Sequence, residues 1–322
     1  MSTFPDVYPL PGLPERVRVY EVGPRDGLQA EAALVDTATK VELIHRLLTA
    51  GLTAVEATSF VSPRWVPQLA DAEQVLAALD LSALDRDGST IRHPVLVPNL
   101  RGLDRAMAAG AQEIAVFVSA TERFAEENLQ TSRAGALQLA AEVAVQAQEA
   151  GIRLRGYVSM CFGDPWEGSV PTGQVAAVAA ELADLGVATI SLGDTIGVAT
   201  PGHVVALLDA VSAAGVSRDR LALHFHDTYG QALANVGAGL RAGVSEYDAA
   251  AGGLGGCPFA RSATGNLATE DLVWMLHGLG IQTGVDLDVL VQTSLWLAER
   301  LGRPSPSRVV AARRSDVAPT AG

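Results

Sequence analysis

Two histidines separated by one residue, His224 and His226, are the clearest candidates for chemistry in this sequence. They lie in an apolar stretch at 221–226 that is followed directly by Asp227. Side chains at positions i and i+2 of a β-strand point to the same face, so the two imidazoles share a face if this stretch is a strand. Two imidazoles at the end of a strand supply half of a metal site. The alternative is that one histidine caps a loop and the other fills the core, but the pair favours a metal centre.

Strand-like and helical segments alternate over most of the chain, which predicts an α/β protein. Each unit runs from a short apolar strand into a helix, and several of the helices end at an Ala-Gly pair. Strict alternation implies a parallel sheet with right-handed crossovers, and eight units close into a (β/α)8 TIM barrel. The predicted strands are 16–22, 54–58, 94–97, 113–118, 153–159, 188–192, 221–225 and 246–249, and the predicted helices are 37–50, 67–78, 102–109, 134–150, 172–185, 201–214, 232–242 and 267–278.

A doubly wound open sheet is the alternative to the barrel. That fold usually carries a glycine-rich dinucleotide fingerprint after its first strand, and Gly-Pro-Arg-Asp-Gly at 23–27 is not one. The predicted domain organisation is therefore an irregular, proline-rich N-terminal arm, a single TIM-barrel domain with an extra C-terminal helix, and a disordered tail rich in Pro, Ser, Arg and Ala. These segments span 1–15, 16–302 (with the extra helix at 286–301) and 303–322.

Polar residues fall at the C-terminal ends of the predicted strands, where barrels of this class carry their chemistry. Asp26 and Asn266, together with the histidine pair, offer nitrogen and oxygen ligands that fit Mg²⁺, Mn²⁺ or Zn²⁺. Loop capping by Asp26 and capping of the helix at 267 by Asn266 are the alternatives. The full set of polar strand-end residues is Arg25, Asp26, Glu56, Asn99, Asp194, His224, His226, Cys257 and Asn266.

Arg25 and Cys257 suggest two further roles. A permanently charged guanidinium at a barrel mouth can hold a carboxylate or stabilise an enolate oxygen, and it can equally form a salt bridge to Glu56 or Asp26. Cys257 lies in the loop Gly-Gly-Leu-Gly-Gly-Cys-Pro, which suggests a general acid or base delivered by a mobile loop, rather than a small buried apolar residue. For Cys161, packing in the core is the expected role.

Composition excludes several function classes. A net charge of −13 argues against nucleic-acid binding, which needs a basic surface. No apolar run approaches the length of about 18 residues expected of a membrane helix. Two cysteines cannot form a disulfide framework, and the N-terminus lacks the pattern of a signal peptide. We therefore expect a cytoplasmic protein with no nucleic-acid or membrane partner.

Long stretches of the chain resemble the hydroxymethylglutaryl-CoA lyase family. The similar segments are EVGPRDGLQ at 21–29, VEATSFVSPRWVPQLAD at 55–71, SLGDTIG at 191–197, HFHDTYGQALAN at 224–235 and GLGGCPFARSATGNLATEDLV at 253–273. Family members are metal-dependent (β/α)8 barrels that cleave 3-hydroxy-3-methylglutaryl-CoA to acetyl-CoA and acetoacetate, a reaction of leucine degradation and ketone-body formation. The resemblance therefore implies an acyl-CoA substrate, a divalent cation (Mg²⁺ or Mn²⁺) and a homodimer or higher homo-oligomer.

The resemblance also assigns residue roles. It places the base at Asp26 or His224, the group that meets the thioester oxygen at Arg25, and the acid that protonates carbon at Cys257. By family motif, the metal ligands are Asp26, His224, His226 and Asn266, the catalytic residues are Arg25, Asp26, Glu56, Asp194, His224, Cys257 and Glu270, and the substrate-binding residues are Arg25 and Gln29.

Two departures from the family pattern leave the acyl group of the substrate open. The segment at 159–168 differs from the family's SCxxGCPYEG pattern, and Ala32 stands where a lysine is expected. A longer 3-hydroxy-3-alkylglutaryl-CoA is therefore an alternative substrate. Another alternative is a Claisen-type synthase related to isopropylmalate or homocitrate synthases, and a pyruvate aldolase is a third. The absence of a further C-terminal domain and the presence of the Cys257 loop disfavour the synthase.

Overall fold

Short apolar strands and amphipathic helices alternate along the chain close to their predicted positions. The computed structural model describes residues 5–84, 88, 90–257 and 260–317, and it describes the backbone alone at 257, 260–264 and 315–317. The strands of the main sheet are β1 (Arg18–Glu21), β2 (Thr58–Ser59), β3 (Val95–Leu96), β4 (Glu113–Ser119), β5 (Arg153–Ser159), β6 (Thr189–Asp194), β7 (Leu221–Phe225) and β8 (Glu246–Ala249). The helices are α1 (Thr37–Thr49), α2 (Ala72–Ala77), α3 (Leu100–Ala108), α4 (Glu122–Leu129), α5 (Arg133–Glu149), α6 (Thr172–Asp184), α7 (Pro201–Ala213), α8 (Ala232–Arg241), α9 (Thr269–Gly278), α10 (Leu287–Leu301) and α11 (Arg308–Val317).

The main sheet closes into a barrel because β1 forms hydrogen bonds on both edges. On one side β1 pairs in parallel with β8. On the other side Glu21 N donates to Ala54 O over 2.9 Å, and Glu56 N donates to Glu21 O over 2.8 Å, just before β2. The other neighbours follow in chain order, and all the pairings within this sheet are parallel. The (β/α)8 TIM barrel is confirmed, and the doubly wound sheet is excluded.

The Ala-Gly pairs end helices for a steric reason. Gly51 follows α1 with a φ of 94°, a backbone conformation that residues with a Cβ rarely adopt. A Cβ at this position would also clash with the carbonyl oxygen of Gly284. The chain therefore turns from α1 toward the next strand at a residue that only glycine fills without strain.

A hairpin and three helices lie outside the eight βα units in the described part of the chain. A small antiparallel hairpin, β9 (Gly256–Cys257) and β10 (Ala260–Thr264), follows β8 and carries the glycine-rich loop. Helix α10 is the extra C-terminal helix expected from the sequence, whereas α4 was not predicted. None of the helices that the structure describes is both long enough and apolar enough to cross a bilayer.

The prediction of a disordered tail from residue 303 onward is wrong for the helix α11 at 308–317. Asp271 caps this helix, because its Oδ2 accepts from Arg308 N over 3.1 Å and its Oδ1 accepts from Val309 N over 2.9 Å. Ser307 Oγ donates to the same Oδ1 over 2.7 Å, and Val310 is buried. Composition alone favoured disorder because the capping carboxylate lies 37 residues earlier in the chain.

We predict that Asp271→Ala releases α11. Loss of a helix cap costs about 0.5–2 kcal/mol, so amide hydrogen exchange at 308–317 should become several-fold to tens of times faster, while the barrel strands keep their protection. Asp288→Ala is the matched control, because the exposed Asp288 of α10 forms an ion pair with Arg313 of α11 but does not cap that helix. Equal acceleration in both variants would contradict the capping role.

Candidate active site

A π-helical turn at Gly23–Gly27 places Arg25 and Asp26 at the barrel mouth, directly after β1. Asp26 N and Gly27 N both donate to Val22 O, over 2.8 Å and 3.1 Å, which closes the turn on the residue that follows the strand. Single π-turns are frequent at functional sites because they alter the direction of the side chains they carry. The turn brings the guanidinium and the carboxylate of the predicted site to the same edge.

The histidine pair reaches the same mouth from β7. His224 lies in the strand, and His226 lies one residue beyond its end. Asn266 forms an antiparallel bridge with His226, and Asp227 N donates to Gly265 O over 2.8 Å. The segment after the glycine-rich loop therefore runs beside the end of β7 and brings Asn266 to the histidines.

Asp26, His224 and His226 converge on one point. One donor atom from each lies within 4.8 Å of the other two. Asn266 belongs to the same cluster, since its Nδ2 donates to Asp26 Oδ2 over 2.7 Å. Among the residues that the structure describes, this is the group of His, Cys, Asp and Glu side chains that is arranged to hold a metal. Imidazole, carboxylate and amide donors suit a divalent cation.

Unsatisfied polar atoms in this cluster support that interpretation. Asn266 Oδ1, His224 Nδ1 and His226 Nδ1 are buried and have no hydrogen-bond partner in the described part of the chain. An unsatisfied buried polar atom costs about 1–3 kcal/mol, so a ligand that coordinates Asn266 Oδ1 would stabilise the site. The alternative that Asn266 caps a helix is wrong, because α9 begins at Thr269 and is preceded by Ala268. The donor set fits a divalent cation.

Arg25 is held in place by two carboxylates. Its Nε donates to Glu56 Oε2 over 2.7 Å, and its Nη1 donates to Asp26 Oδ1 over 2.7 Å. Tyr157 OH donates to the other Glu56 oxygen over 3.1 Å, and the Tyr157 ring lies 5.6 Å from the guanidinium carbon. Burial opposes the charge of Arg25, but Glu56 and Asp26 outweigh burial and raise its pKa. Both predicted salt bridges of Arg25 are therefore present together.

Burial and neighbouring charges shift the pKa values of the side chains in this cluster in different directions. Burial opposes ionisation of Asp26, but Arg25 and the two imidazoles outweigh it and lower the pKa of Asp26 to about 2. Burial likewise opposes protonation of His224, but Asp248 and Asp26 outweigh it and raise the pKa of His224. For His226, burial and the neighbouring His224 prevail, and its pKa falls to about 3. An ionised carboxylate and a neutral imidazole are the forms in which these side chains bind metals.

Asp194, at the end of β6, shapes the neighbouring loop. Its Oδ1 accepts from Val198 N over 2.9 Å, and its Oδ2 accepts from Ala199 N over 3.1 Å. Burial outweighs these hydrogen bonds and raises the pKa of Asp194 to about 6. The structure thus places this predicted site residue as the organiser of the loop after β6.

Glu270 and Glu21 hold the base of the glycine-rich loop. Glu270 Oε2 accepts from Gly252 N over 2.9 Å and Oε1 accepts from Ser294 Oγ, while Glu21 Oε1 accepts from Ala251 N over 2.9 Å. Burial outweighs these bonds and raises the pKa of Glu270 to about 8 and that of Glu21 to about 7. The two carboxyl groups hold the short 3₁₀ turn at Ala251–Gly253, where the loop begins.

For three of the predicted residues, the described part of the structure shows no contact with this cluster. The side chain of Cys257 lies outside the described residues, although its backbone begins the β9–β10 hairpin. Gln29 is exposed. Asn99 caps α3 by accepting from Gly102 N over 3.0 Å.

Sequence reasoning missed Asp248. It lies in β8, where it pairs in register with His224 and its Oδ2 lies 3.3 Å from His224 Nδ1. A signal was available, because Glu246 and Asp248 occupy positions i and i+2 of a strand predicted to be buried. Two carboxylates on one face of an interior strand need buried partners, which here include Arg155 and His224.

Comparisons with known proteins agree with this geometry. The family model HMGL-like matches residues 16–296. The mitochondrial hydroxymethylglutaryl-CoA lyase of Arabidopsis thaliana is 52% identical over 94% of this chain, which spans 63% of that protein. The cytoplasmic 3-hydroxy-3-methylglutaryl-CoA lyase of Danio rerio is 48% identical over 95% of this chain and 90% of that protein. The structure of an HMG-CoA lyase from Acinetobacter baumannii in complex with coenzyme A and 3-methylmalate has a TM-score of 0.85 and 38% identity, covering 99% of both chains.

We predict that Glu270 makes stability fall as pH rises. Its carboxyl group stays protonated in the folded chain up to about pH 8, whereas in the unfolded chain it ionises near 4.5. Its stabilising contribution is complete below the lower value and is lost as pH rises to the higher one, by about 1.4 kcal/mol per pH unit. Glu270→Gln, which resembles the protonated acid, should therefore gain stability relative to the native chain between pH 5.5 and pH 8 (roughly the interior of that window).

Urea denaturation of both proteins across this range measures the difference. Glu181→Gln, an exposed change on α6, is the matched control. Parallel pH dependences of the native chain and Glu270→Gln would show that Glu270 ionises normally.

Proposed function

The chain belongs to the HMGL-like family, and on this basis we propose that it is a divalent-metal-dependent carbon–carbon lyase that cleaves 3-hydroxy-3-methylglutaryl-CoA to acetyl-CoA and acetoacetate. The observation that carries the proposal is the convergence of Asp26, His224, His226 and Asn266 beside Arg25 at one barrel mouth. The relatives that support the substrate are named for this acyl-CoA, and the Acinetobacter structure contains coenzyme A.

Asp26, His224, His226 and Asn266 are the proposed ligands of the cation. They combine two imidazoles, a carboxylate and an amide oxygen, and the Asn266 Oδ1 atom lacks another partner in the described ranges. A bound divalent cation supplies Lewis-acid polarisation of the substrate's C3 hydroxyl, and Mg²⁺ or Mn²⁺ is the proposed ion.

Cleavage begins with removal of the proton from the C3 hydroxyl, and the proposed base is Asp26 or His224. Both oxygens of Asp26 already accept hydrogen bonds, from Arg25 Nη1 and from Asn266 Nδ2, whereas His224 can take the proton only through an Nε2 lone pair that is not bound to the cation. The C2–C3 bond then breaks, the C3 oxygen becomes the ketone of acetoacetate, and the electron pair leaves with C2 as the acetyl-CoA enolate.

Arg25 is the proposed stabiliser of the enolate oxygen. Its guanidinium carries five N–H donors, and its contacts to Glu56 and Asp26 leave donors for a substrate oxygen. Because both carboxylates hold the group rigidly, it needs no reorganisation when negative charge develops on the thioester oxygen. Gln29, two residues after the end of the π-turn, is a further proposed substrate contact.

Cys257 is the proposed acid that protonates the enolate carbon. The basis is its place in the family motif and on a loop whose base is held by Glu21 and Glu270 beside the mouth. Glu56 supports Arg25, and Asp194 and Glu270 act through the loops that they organise. These roles follow from contacts of the side chains together with the family motif.

Release of acetyl-CoA from 3-hydroxy-3-methylglutaryl-CoA is the direct test. We expect turnover in the presence of Mg²⁺ or Mn²⁺, loss of turnover after EDTA treatment and recovery on adding the metal back, measured by a coupled assay. Release from a longer 3-hydroxy-3-alkylglutaryl-CoA alone would move the proposal to that substrate. Condensation of acetyl-CoA with a 2-oxo acid, without carbon–carbon cleavage of either 3-hydroxyacyl-CoA, would favour the synthase.

We predict that Cys257→Ser lowers kcat by at least about 100-fold, the usual scale for loss of a proton-transfer group. Cys161→Ser is the matched control, because the Cys161 thiol is buried in the core and donates to Val158 O over 3.1 Å. Steady-state kinetics on both variants measures the effect. A Cys257→Ser enzyme with near-native kcat would remove Cys257 from the mechanism.

Compartment and assembly remain proposals. One relative above is named as cytoplasmic and another as mitochondrial, and we propose the cytoplasm for this chain. A homodimer or higher homo-oligomer is proposed from the family resemblance, as is a place in leucine degradation or ketone-body formation. Light scattering coupled to gel filtration measures the oligomeric state.

A further inference from the structure

A buried chain of polar groups lies behind His224. Arg155 Nη2 donates to Asp248 Oδ1 over 2.5 Å, and Ser191 Oγ donates to Asp248 Oδ2 over 2.7 Å. The same Oδ2 lies 3.3 Å from His224 Nδ1, which is within ion-pair distance, although the angle at Nδ1 does not meet the geometry of a hydrogen bond. Arg155, Ser191 and Asp248 are each at most 1% exposed, so water does not compete for these contacts.

The orientation of Asp248 is determined by its partners. Arg155 is permanently charged, and its guanidinium carbon lies 3.9 Å from the centre of the Tyr20 ring, while Glu246 binds its other nitrogen. These contacts direct one edge of Arg155 at Asp248 Oδ1. Since Ser191 can donate only to the remaining oxygen, Oδ2 is the atom that faces the imidazole.

A carboxylate oxygen facing Nδ1 selects one tautomer of a neutral imidazole. A carboxylate only accepts, so the ring proton is favoured on Nδ1 and the lone pair is left on Nε2. Histidines that bind metals usually have such a partner on the opposite nitrogen, which fixes the ring and makes it a better ligand. Neither His224 Nδ1 nor His226 Nδ1 forms a hydrogen bond of good geometry in the described part of the chain, and the two differ in that a carboxylate oxygen, Asp248 Oδ2, lies 3.3 Å from His224 Nδ1.

We propose that Asp248 is a positioning residue that holds His224 in the Nδ1–H tautomer, with Nε2 available to the site formed with Asp26 and His226. The part of this proposal that concerns metal affinity rests on the proposed function, because it requires that the site hold a divalent cation. The part that concerns the tautomer does not, since it follows from Asp248 and His224 alone.

Asp248→Asn tests the tautomer directly. It keeps the shape of the side chain but replaces one accepting oxygen with a donating NH₂ group. Arg155 can only donate, so the amide oxygen of the substituted side chain must face Arg155 and its NH₂ group must face His224. The NH₂ group then donates to Nδ1, which places the ring proton on Nε2 and blocks that atom as a ligand. Glu246→Gln is the matched control, because Glu246 binds the same Arg155 without touching His224.

The first measurement is the imidazole ¹⁵N spectrum of histidine-labelled, metal-free protein at about pH 9, above the ordinary histidine pKa of about 6.5. His224→Gln assigns the signal. We expect the Nδ1–H pattern in the native chain and in Glu246→Gln, and the Nε2–H pattern in Asp248→Asn. An Nε2–H pattern in the native chain, or an unchanged pattern in Asp248→Asn, would overturn the proposal.

The second measurement is the affinity for Mn²⁺, followed by electron paramagnetic resonance. Loss of such an outer partner weakens metal binding by about 10–100-fold, and we expect this for Asp248→Asn and a change within about threefold for Glu246→Gln. Equal losses in the two variants would show that Asp248 acts only through Arg155 and would overturn the proposal. Absence of Mn²⁺ binding by the native chain would instead refute the metal-dependent function, and a tautomer that switches as expected would still support the positioning role.

Discussion

The buried ion pair between Arg25 and Glu56 is the contact on which the arrangement of the barrel mouth depends. It joins the π-turn after β1 to the residues before β2, and Tyr157 ties it to β5. Removal of one partner from a buried pair typically costs about 3–5 kcal/mol, because the other charge is left without compensation. The remaining edge of Arg25 binds Asp26, so the same pair also sets the direction of a carboxylate in the metal cluster.

Charge compensation continues deeper in the barrel. Arg155 is 1% exposed and forms ion pairs with both Glu246 and Asp248, and Arg92 binds Glu113. These three buried carboxylates thus have arginine partners although the chain carries a net charge of −13. An anionic acyl-CoA therefore gains nothing from the overall charge, and its recognition must depend on fixed local groups such as Arg25.

The glycine-rich loop is held at its base by hydrogen bonds from several side chains. Glu21 and Glu270 accept hydrogen bonds from the first residues of the loop, and Ser305 Oγ donates to Gly252 O over 2.8 Å from the C-terminal segment. That segment is itself fastened to the loop after β1 by the ion pair between Arg303 and Glu31. These contacts fix the point from which the loop departs.

The sequence by itself determined the barrel and the members of the candidate metal site. Strand and helix periodicities are local, positions i and i+2 of a strand share a face, and parallel strands in a barrel end at one mouth. These rules were sufficient to bring His224, His226, Asp26 and Asn266 together. Only the tertiary structure decided which buried group stands behind each of them. Asp248 meets His224 because the pairing of β7 with β8 places the two residues in register. No local pattern encodes that register, and for the same reason composition could not reveal that Asp271 caps the C-terminal helix.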